Sequence, residues 1–348
     1  MLGVFPVVDE YFAQTERFRS NDDEKAKQAV LFCIDALGEI AESFQEELRS
    51  RQELSVRFTL QDETGGRYPA FTKLGDEDGS YVIGITVPLL HLLYIETENI
   101  VQDKLGERNY SRDAFFILAA ISVLCHEYAH VALGHLDGNS PPKSIIRADE
   151  FSADDYGGRI ASQQFARNRA AIKHYCGIET AYDFLEALIV GQASLFTVLQ
   201  FLHQPNEAYH TPTLRLNHMF SGVIRGELGS DLLQENNYEK RFTAALSFLD
   251  AIGGNFTHPL HLIALFRTQV DDDDLFEKET ALDRVHRITE TMNQSRFLAP
   301  LRDRIGAFQG PARKKRWRFE DYEKKRGPTK AARGLSQLRS LLYLIFRR

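Results

Sequence analysis

The chain has 348 residues, 43% hydrophobic and 26% charged, a length and composition that support a large globular core and exclude a disordered or fibrous protein. Three scattered cysteines, Cys33, Cys125 and Cys176, exclude a disulfide framework and point, with a modest net charge of −7, to a reducing, cytoplasmic setting. The start, Met1-Leu2-Gly3-Val4-Phe5-Pro6, lacks the basic and long apolar parts of a secretory signal. No unbroken apolar run reaches the roughly 18–20 residues of a membrane span; the nearest, Ala187 to Leu202, is interrupted by Gln192, Ser194, Thr197 and Gln200.

In chain order, Ser20-Asn21-Asp22-Asp23-Glu24 is an acidic helix start. Val30, Leu31, Ile34, Leu37, Ile40, Ala41, Phe44 and Leu48 then keep helical spacing, which predicts one long amphipathic helix. Leu54, Val56, Phe58 and Leu60 alternate with Ser55, Arg57 and Thr59 as in a half-buried strand. Gly65-Gly66 and Gly75-Asp76 mark turns, Tyr81 to Val87 is a second strand, and Pro88 opens a helix to about Gln102. The unbroken apolar run Phe115 to Cys125 predicts a core helix that leads into His126-Glu127-Tyr128-Ala129-His130. Gly134 is its expected end, Asp137 to Pro142 a loop, and about Arg147 to Arg167 the next helix. Segments near 168–178, 181–203, 213–225, 239–251, 258–269 and 279–295 carry apolar helical faces between Gly, Pro, Asn or Asp breaks. Asp271 to Asp274 lacks the interleaved ligands of a calcium loop and reads as solvated.

The run from His126 to His130 carries chemistry. Two histidines four residues apart leave the same helix face one turn apart and bring their ring nitrogens to one ion. Glu127, about 100° further round, stands beside that ion but off the ligand ridge, where a general base is needed. Unpaired, a histidine and a glutamate at the end of an apolar core helix would be costly, which argues for a metal centre. His135, about 140° off the ligand face of a continued helix, does not suit as third ligand. Glu150 does, and Asp154, one turn beyond it on the same face, is placed to accept the outer N–H of a ligand histidine. Zinc, with His126, His130 and Glu150 as ligands, is the expected cofactor. Cys125 reads as a small buried hydrophobe rather than a ligand.

The HExxH pentad followed by Glu150-Phe151-Ser152-Ala153-Asp154 resembles the gluzincin zinc metallopeptidases, with the twenty-residue step from His130 to Glu150 found in thermolysin-type enzymes. The metzincin pattern fails, since Leu133 and Leu136 stand where it requires glycine and histidine. The local flavour, His126 through His135 and Ala148 through Asp154, is similar to HtpX-like and Lit-type peptidases; the latter are soluble bacterial phage-exclusion enzymes acting on a host translation factor. Because HtpX-like enzymes are membrane-embedded, the absence of a long apolar run favours the soluble relative. The resemblance implies a peptidase with Glu127 as base and Asp154 behind the ligands. It also implies a downstream histidine or tyrosine for the oxyanion. His210, in Tyr209-His210-Thr211-Pro212 with Arg215 following, and His258, in Thr257-His258-Pro259 with Arg267 beyond, are the candidates.

The expected fold class is therefore α+β and predominantly helical. A zincin-like core, a small sheet plus the HExxH helix, precedes a helical part from about 168, all within one domain spanning 1–310. Tyr81–Thr86 is expected as the edge strand that pairs with an extended substrate, with Gly84 admitting its backbone. Residues 311–348 differ in character: thirteen Lys or Arg against three Asp or Glu give +10, leaving −17 on residues 1–310. This segment suits docking on the chain's own acidic body, which we favour, or binding nucleic acid or a ribosome, or an anionic membrane surface. The expected function is zinc-dependent hydrolysis of a peptide bond in a restricted cytosolic protein substrate, in the setting of phage defence. The competing readings are a non-catalytic zinc-stabilised regulatory module with a nucleic-acid-binding tail, and a zinc hydrolase of a non-peptide amide.

Overall fold

The structure is a computed structural model that describes residues 4–14, 21–52, 55–61, 69–77, 80–101, 110–136, 143–202, 209–210, 212–228, 244–245, 247–249 and 251. Helix α1 (Val4–Gln14) leads to the long α2 (Asn21–Gln52), and three short strands follow: β1 (Ser55–Gln61), β2 (Ala70–Leu74) and β3 (Ser80–Thr86). Helices α3 (Val87–Val101), α4 (Ala114–Ala132), α5 (Lys143–Ser162), α6 (Gln164–Arg167), α7 (Arg169–Cys176), α8 (Ala181–Leu202) and α9 (Pro212–Leu228) complete the elements. The fold is α+β and mainly helical, as expected. The segments near 258–269 and 279–295, Asp271–Asp274 and the basic segment 311–348 lie outside the described residues, as does the loop expected at 137–142.

The sheet corrects one expectation. Its order is β1-β3-β2, with β3 parallel to β1 and antiparallel to β2. Both edges of Tyr81–Thr86 are therefore already bonded, and this strand cannot receive a substrate backbone. Its burial agrees, for every residue from Tyr81 to Thr86 is buried on whichever face it points to, the pattern of a central strand. Gly84 serves a neighbour rather than a substrate: it pairs with Phe71 of β2, whose ring lies over it where a Cβ would stand. Strand β2, which the sequence reading missed, is one of the two edge strands, β1 being the other. Among the described residues, nothing pairs with its outer edge. The facing ends of β2 and β3 are tied together, the Gly75 N–H bonding to the Ser80 carbonyl at 2.8 Å and the Ser80 hydroxyl to the Glu77 carbonyl at 2.6 Å.

The centre of the molecule is α4. Apart from the half-buried His130, all of its residues are buried, as an all-round apolar helix requires. Strands β2 and β3 and helix α2 lie against it, with Phe44 of α2 stacked on Tyr128 at 4.3 Å between ring centroids. Helix α8 crosses α4 at Gly191, where a Cβ would come within 2.7 Å of the Phe115 carbonyl oxygen. By length and composition α4 and α8 both suit a membrane span, a property the sequence reading weighed only for the second. Here they are core helices, with 94% and 78% of their apolar windows buried.

The helix read as Arg147 to Arg167 begins earlier, at Lys143, and breaks after Ser162 before the short α6. Glycines draw α5 against both of its partners. A Cβ at Gly157 would stand 2.8 Å from His126 Cα. Gly158 meets the Met219 carbonyl and Gly222 the Asp155 carbonyl, so α5 and α9 touch backbone to backbone. A methyl group added at Gly222 must push α9 away. Gly222→Ala is expected to lower unfolding stability by about 1–3 kcal/mol, read from the urea midpoint. An unchanged midpoint would mean that this close crossing contributes nothing.

Candidate metal centre

Helices α4, α5 and α9 deliver their polar side chains to one buried spot. His126 and His130 lie one turn apart on α4, with their Nε2 atoms 3.2 Å from each other. Glu150 of α5 reaches both, Oε2 lying 3.4 Å from His126 Nε2 and Oε1 3.5 Å from His130 Nε2. These donor atoms all lie within 4.8 Å of one another, the one such group of three or more metal-ligating side chains among the described residues. A four-coordinate ion with ligand distances of roughly 2.0–2.1 Å needs donors about 3.3 Å apart in a tetrahedron. The observed 3.2, 3.4 and 3.5 Å fit that spacing. The trio can hold a divalent metal ion.

The groups behind the ligands fit the same purpose. Asp154, one turn beyond Glu150 and fully buried, places Oδ1 2.9 Å from His126 Nδ1. That contact puts a proton on Nδ1 and turns Nε2 inward. Arg215 of α9 then spans the two carboxylates. Its Nε lies 2.9 Å from Asp154 Oδ2, and its Nη2 lies 3.0 Å from both Asp154 Oδ1 and Glu150 Oε2. The sequence reading noted Arg215 only as a neighbour of His210. Its role follows from the glycine crossing of α5 and α9, which local spacing does not reveal.

Glu127 is buried and is not among the ligand trio. The Thr72 hydroxyl lies 2.7 Å from Glu127 Oε2, and also 3.0 Å from the Glu127 carbonyl oxygen. Thr72 comes from β2, 55 residues away along the chain, and the sequence reading gave it no role. Tyr209, just ahead of α9, holds its ring 5.8 Å from the Arg215 guanidinium carbon. His210 is buried, with its ring 6.5 Å from Phe151 and 5.9 Å from His218. His258 lies outside the described residues. His135 is not among the trio; it touches the outer side of His130.

Electrostatics divide the two histidines. Burial works against charge on His126, but the hydrogen bonds and charges of Asp154 and Glu150 outweigh it and raise its pKa to about 10. Burial dominates at His130, with the charges of His126 and Arg215 adding to it, and its pKa falls to about 4. Burial would raise Glu150 and Asp154, yet Arg215 and His126 lower both, Glu150 to well below the ordinary carboxylate range. Glu127 goes the other way: burial lifts it, against the opposing pull of His126 and the Thr72 hydroxyl. A carboxylate so raised takes up a proton more readily than an exposed one.

Comparison with protein-family models, with curated proteins and with solved structures gives no significant match. The metal centre therefore rests on its own residues and the spacing they adopt.

Two results are expected of this centre. Asp154 and Glu150 raise the proton affinity of His126, so a bound cation competes with a proton at that ring. Calorimetric titration with zinc as the probe should therefore release about one proton, with affinity rising about tenfold per pH unit from pH 7 to 9. Identical heats in buffers of different ionisation enthalpy would contradict this. Second, Arg215→Leu leaves Asp154 and Glu150 as buried carboxylates with their main counter-charge removed. It should cost about 3–5 kcal/mol in urea unfolding with chelator present; a loss within experimental error would show the pairing to be inert.

Proposed function

We propose that this chain is a zinc-dependent metalloendopeptidase of gluzincin type. The observation that carries the reading is the convergence of His126, His130 and Glu150 within 4.8 Å, with the buried carboxylate of Glu127 feeling the charges of His126, Glu150 and Arg215. Two imidazoles and one carboxylate form the donor set of a catalytic zinc site with a coordination position left for water or substrate. When bound, zinc would supply Lewis-acid polarisation of the scissile carbonyl and a lower pKa for water.

The chain's own groups do the rest. Glu127 takes the proton of the attacking water and passes it to the departing amine; its raised pKa suits both halves of that transfer. The Thr72 hydroxyl donates a hydrogen bond to the Glu127 carboxylate and restrains it. Asp154 fixes the His126 tautomer, and Arg215 balances the carboxylates behind it. The segment Tyr209-His210, adjoining Arg215, supplies the donor for the tetrahedral oxyanion. An extended substrate lies along the outer edge of β2, antiparallel or parallel to it, and pairs backbone to backbone beside Glu127. Together β2 and α4 form the zincin-like core of this reading.

The substrate is a restricted cytosolic protein, and the Lit-type likeness of residues 126–135 and 148–154 favours a role in bacterial antiviral defence. Glu127 separates this function from a metal-stabilised module whose basic tail binds nucleic acid, because only the enzyme assigns it work. Incubation with a bacterial cell extract and mass-spectrometric mapping of new termini tests the difference. The zinc-loaded wild type should generate a small set of new termini. Glu127→Gln should keep the metal and lose turnover by about 10²–10⁴-fold. Equal cleavage by Glu127→Gln would remove the assigned base. A zinc-loaded wild type that makes no new terminus would favour the non-catalytic module.

A further inference from the structure

One buried contact at the centre has no part in the mechanism above. Helix α4 ends at Ala132, and Gly134, in the left-handed conformation at φ 66°, turns the chain back. His135 consequently folds against the outer side of His130, with the two Nδ1 atoms 2.9 Å apart and the rings edge to face at 5.0 Å. Beyond it, His135 Nε2 lies 3.5 Å from Asp149 Oδ1, and the two side chains are only 2% and 7% exposed.

Proton counting gives this chain of contacts a direction. His130 Nε2 faces His126 and Glu150, and it binds a cation only with its lone pair inward. A neutral imidazole carries one N–H, so the His130 proton must then sit on Nδ1. His135 Nδ1 must accept it, which leaves the His135 proton on Nε2, the nitrogen that lies 3.5 Å from Asp149 Oδ1. Each group thereby fixes the tautomer of the next.

We propose that His135, anchored by Asp149, is the positioning residue of His130 and holds it in the tautomer that offers Nε2 to the metal. The inference rests on the metal-site reading given above. It makes the centre two-sided: Asp154 stands directly behind His126, whereas Asp149 acts on His130 through an intervening ring. Both aspartates come from α5 and flank Glu150, so one helix supplies the third ligand and the orientation of the other two.

The test compares zinc affinity, measured by competition with a chromogenic chelator, in the full-length wild type, His135→Phe, His135→Asn and Asp149→Asn. His135→Phe should bind zinc about 10–100-fold more weakly. His135→Asn, which keeps an acceptor where Nδ1 stood, should recover most of that loss. If His135→Phe does not fold by circular dichroism, Asp149→Asn, of unchanged shape, takes its place with a loss in the same direction. Histidine nitrogen NMR of the metal-free wild type should find the His130 proton on Nδ1. The proposal is overturned if that proton sits on Nε2, or if every variant binds zinc as the wild type does. A wild type that binds no zinc overturns this inference and the metal-site reading together. A wild type that binds zinc while folded variants match it overturns this inference alone.

Discussion

The site depends on a fully buried carboxylate, Asp154, shared between an imidazole of α4 and the guanidinium of α9. A lone carboxylate at that depth would cost several kcal/mol. Here His126 Nδ1 at 2.9 Å and the Arg215 nitrogens at 2.9 and 3.0 Å offset the loss of water. The cost of burying one anion thus becomes the constraint that fixes three helices in register. Glycine makes the register reachable, since Gly157 admits α4 and Gly158 with Gly222 admits α9. A chain with larger residues at these crossings would hold Arg215 out of reach.

From this arrangement follows the division of labour along one turn of helix. His126 stands between Asp154 and Glu150 and keeps a high proton affinity, whereas burial and nearby positive charge keep His130 neutral. Glu127, between them in sequence, points to a different neighbour, Thr72, and has its proton affinity raised by burial. Three adjacent ionisable groups on one helix are thus tuned by three different surroundings. Cys125 stays out of this chemistry: it is wholly buried, and burial pushes its thiol far above the range in which a thiolate forms. The site is one of nitrogen and oxygen donors.

The histidine pair and the Glu150–Asp154 pair were legible in the sequence because a four-residue step on a helix is a statement about one face. The long α2, the strands β1 and β3 and the core helix α4 were legible for similar reasons of period and apolar run. Strand β2 was not, because Ala70 to Leu74 is short and half exposed and lacks a sustained alternation. That omission misplaced the sheet edge, although the run Tyr81 to Thr86, apolar on both faces, already carried the mark of a central strand. Thr72 and Arg215 meet the site across 55 and 61 residues from their partners, so no local spacing could announce them. His135 was judged by the phase of a helix that in fact ends three residues earlier, and Gly134 returns it to the far side of His130.

The claim that bears the whole account is that two imidazole nitrogens and the Glu150 carboxylate share one ion. X-ray absorption at the zinc edge of the protein loaded with one equivalent of zinc examines that directly. The account predicts nitrogen and oxygen scatterers at about 2.0–2.2 Å, two of them with the outer-shell signature of imidazole. In Glu150→Ala, one of the oxygen scatterers should be lost or replaced by solvent with weaker metal retention. A sulfur scatterer near 2.3 Å, or zinc surroundings without imidazole, would contradict it.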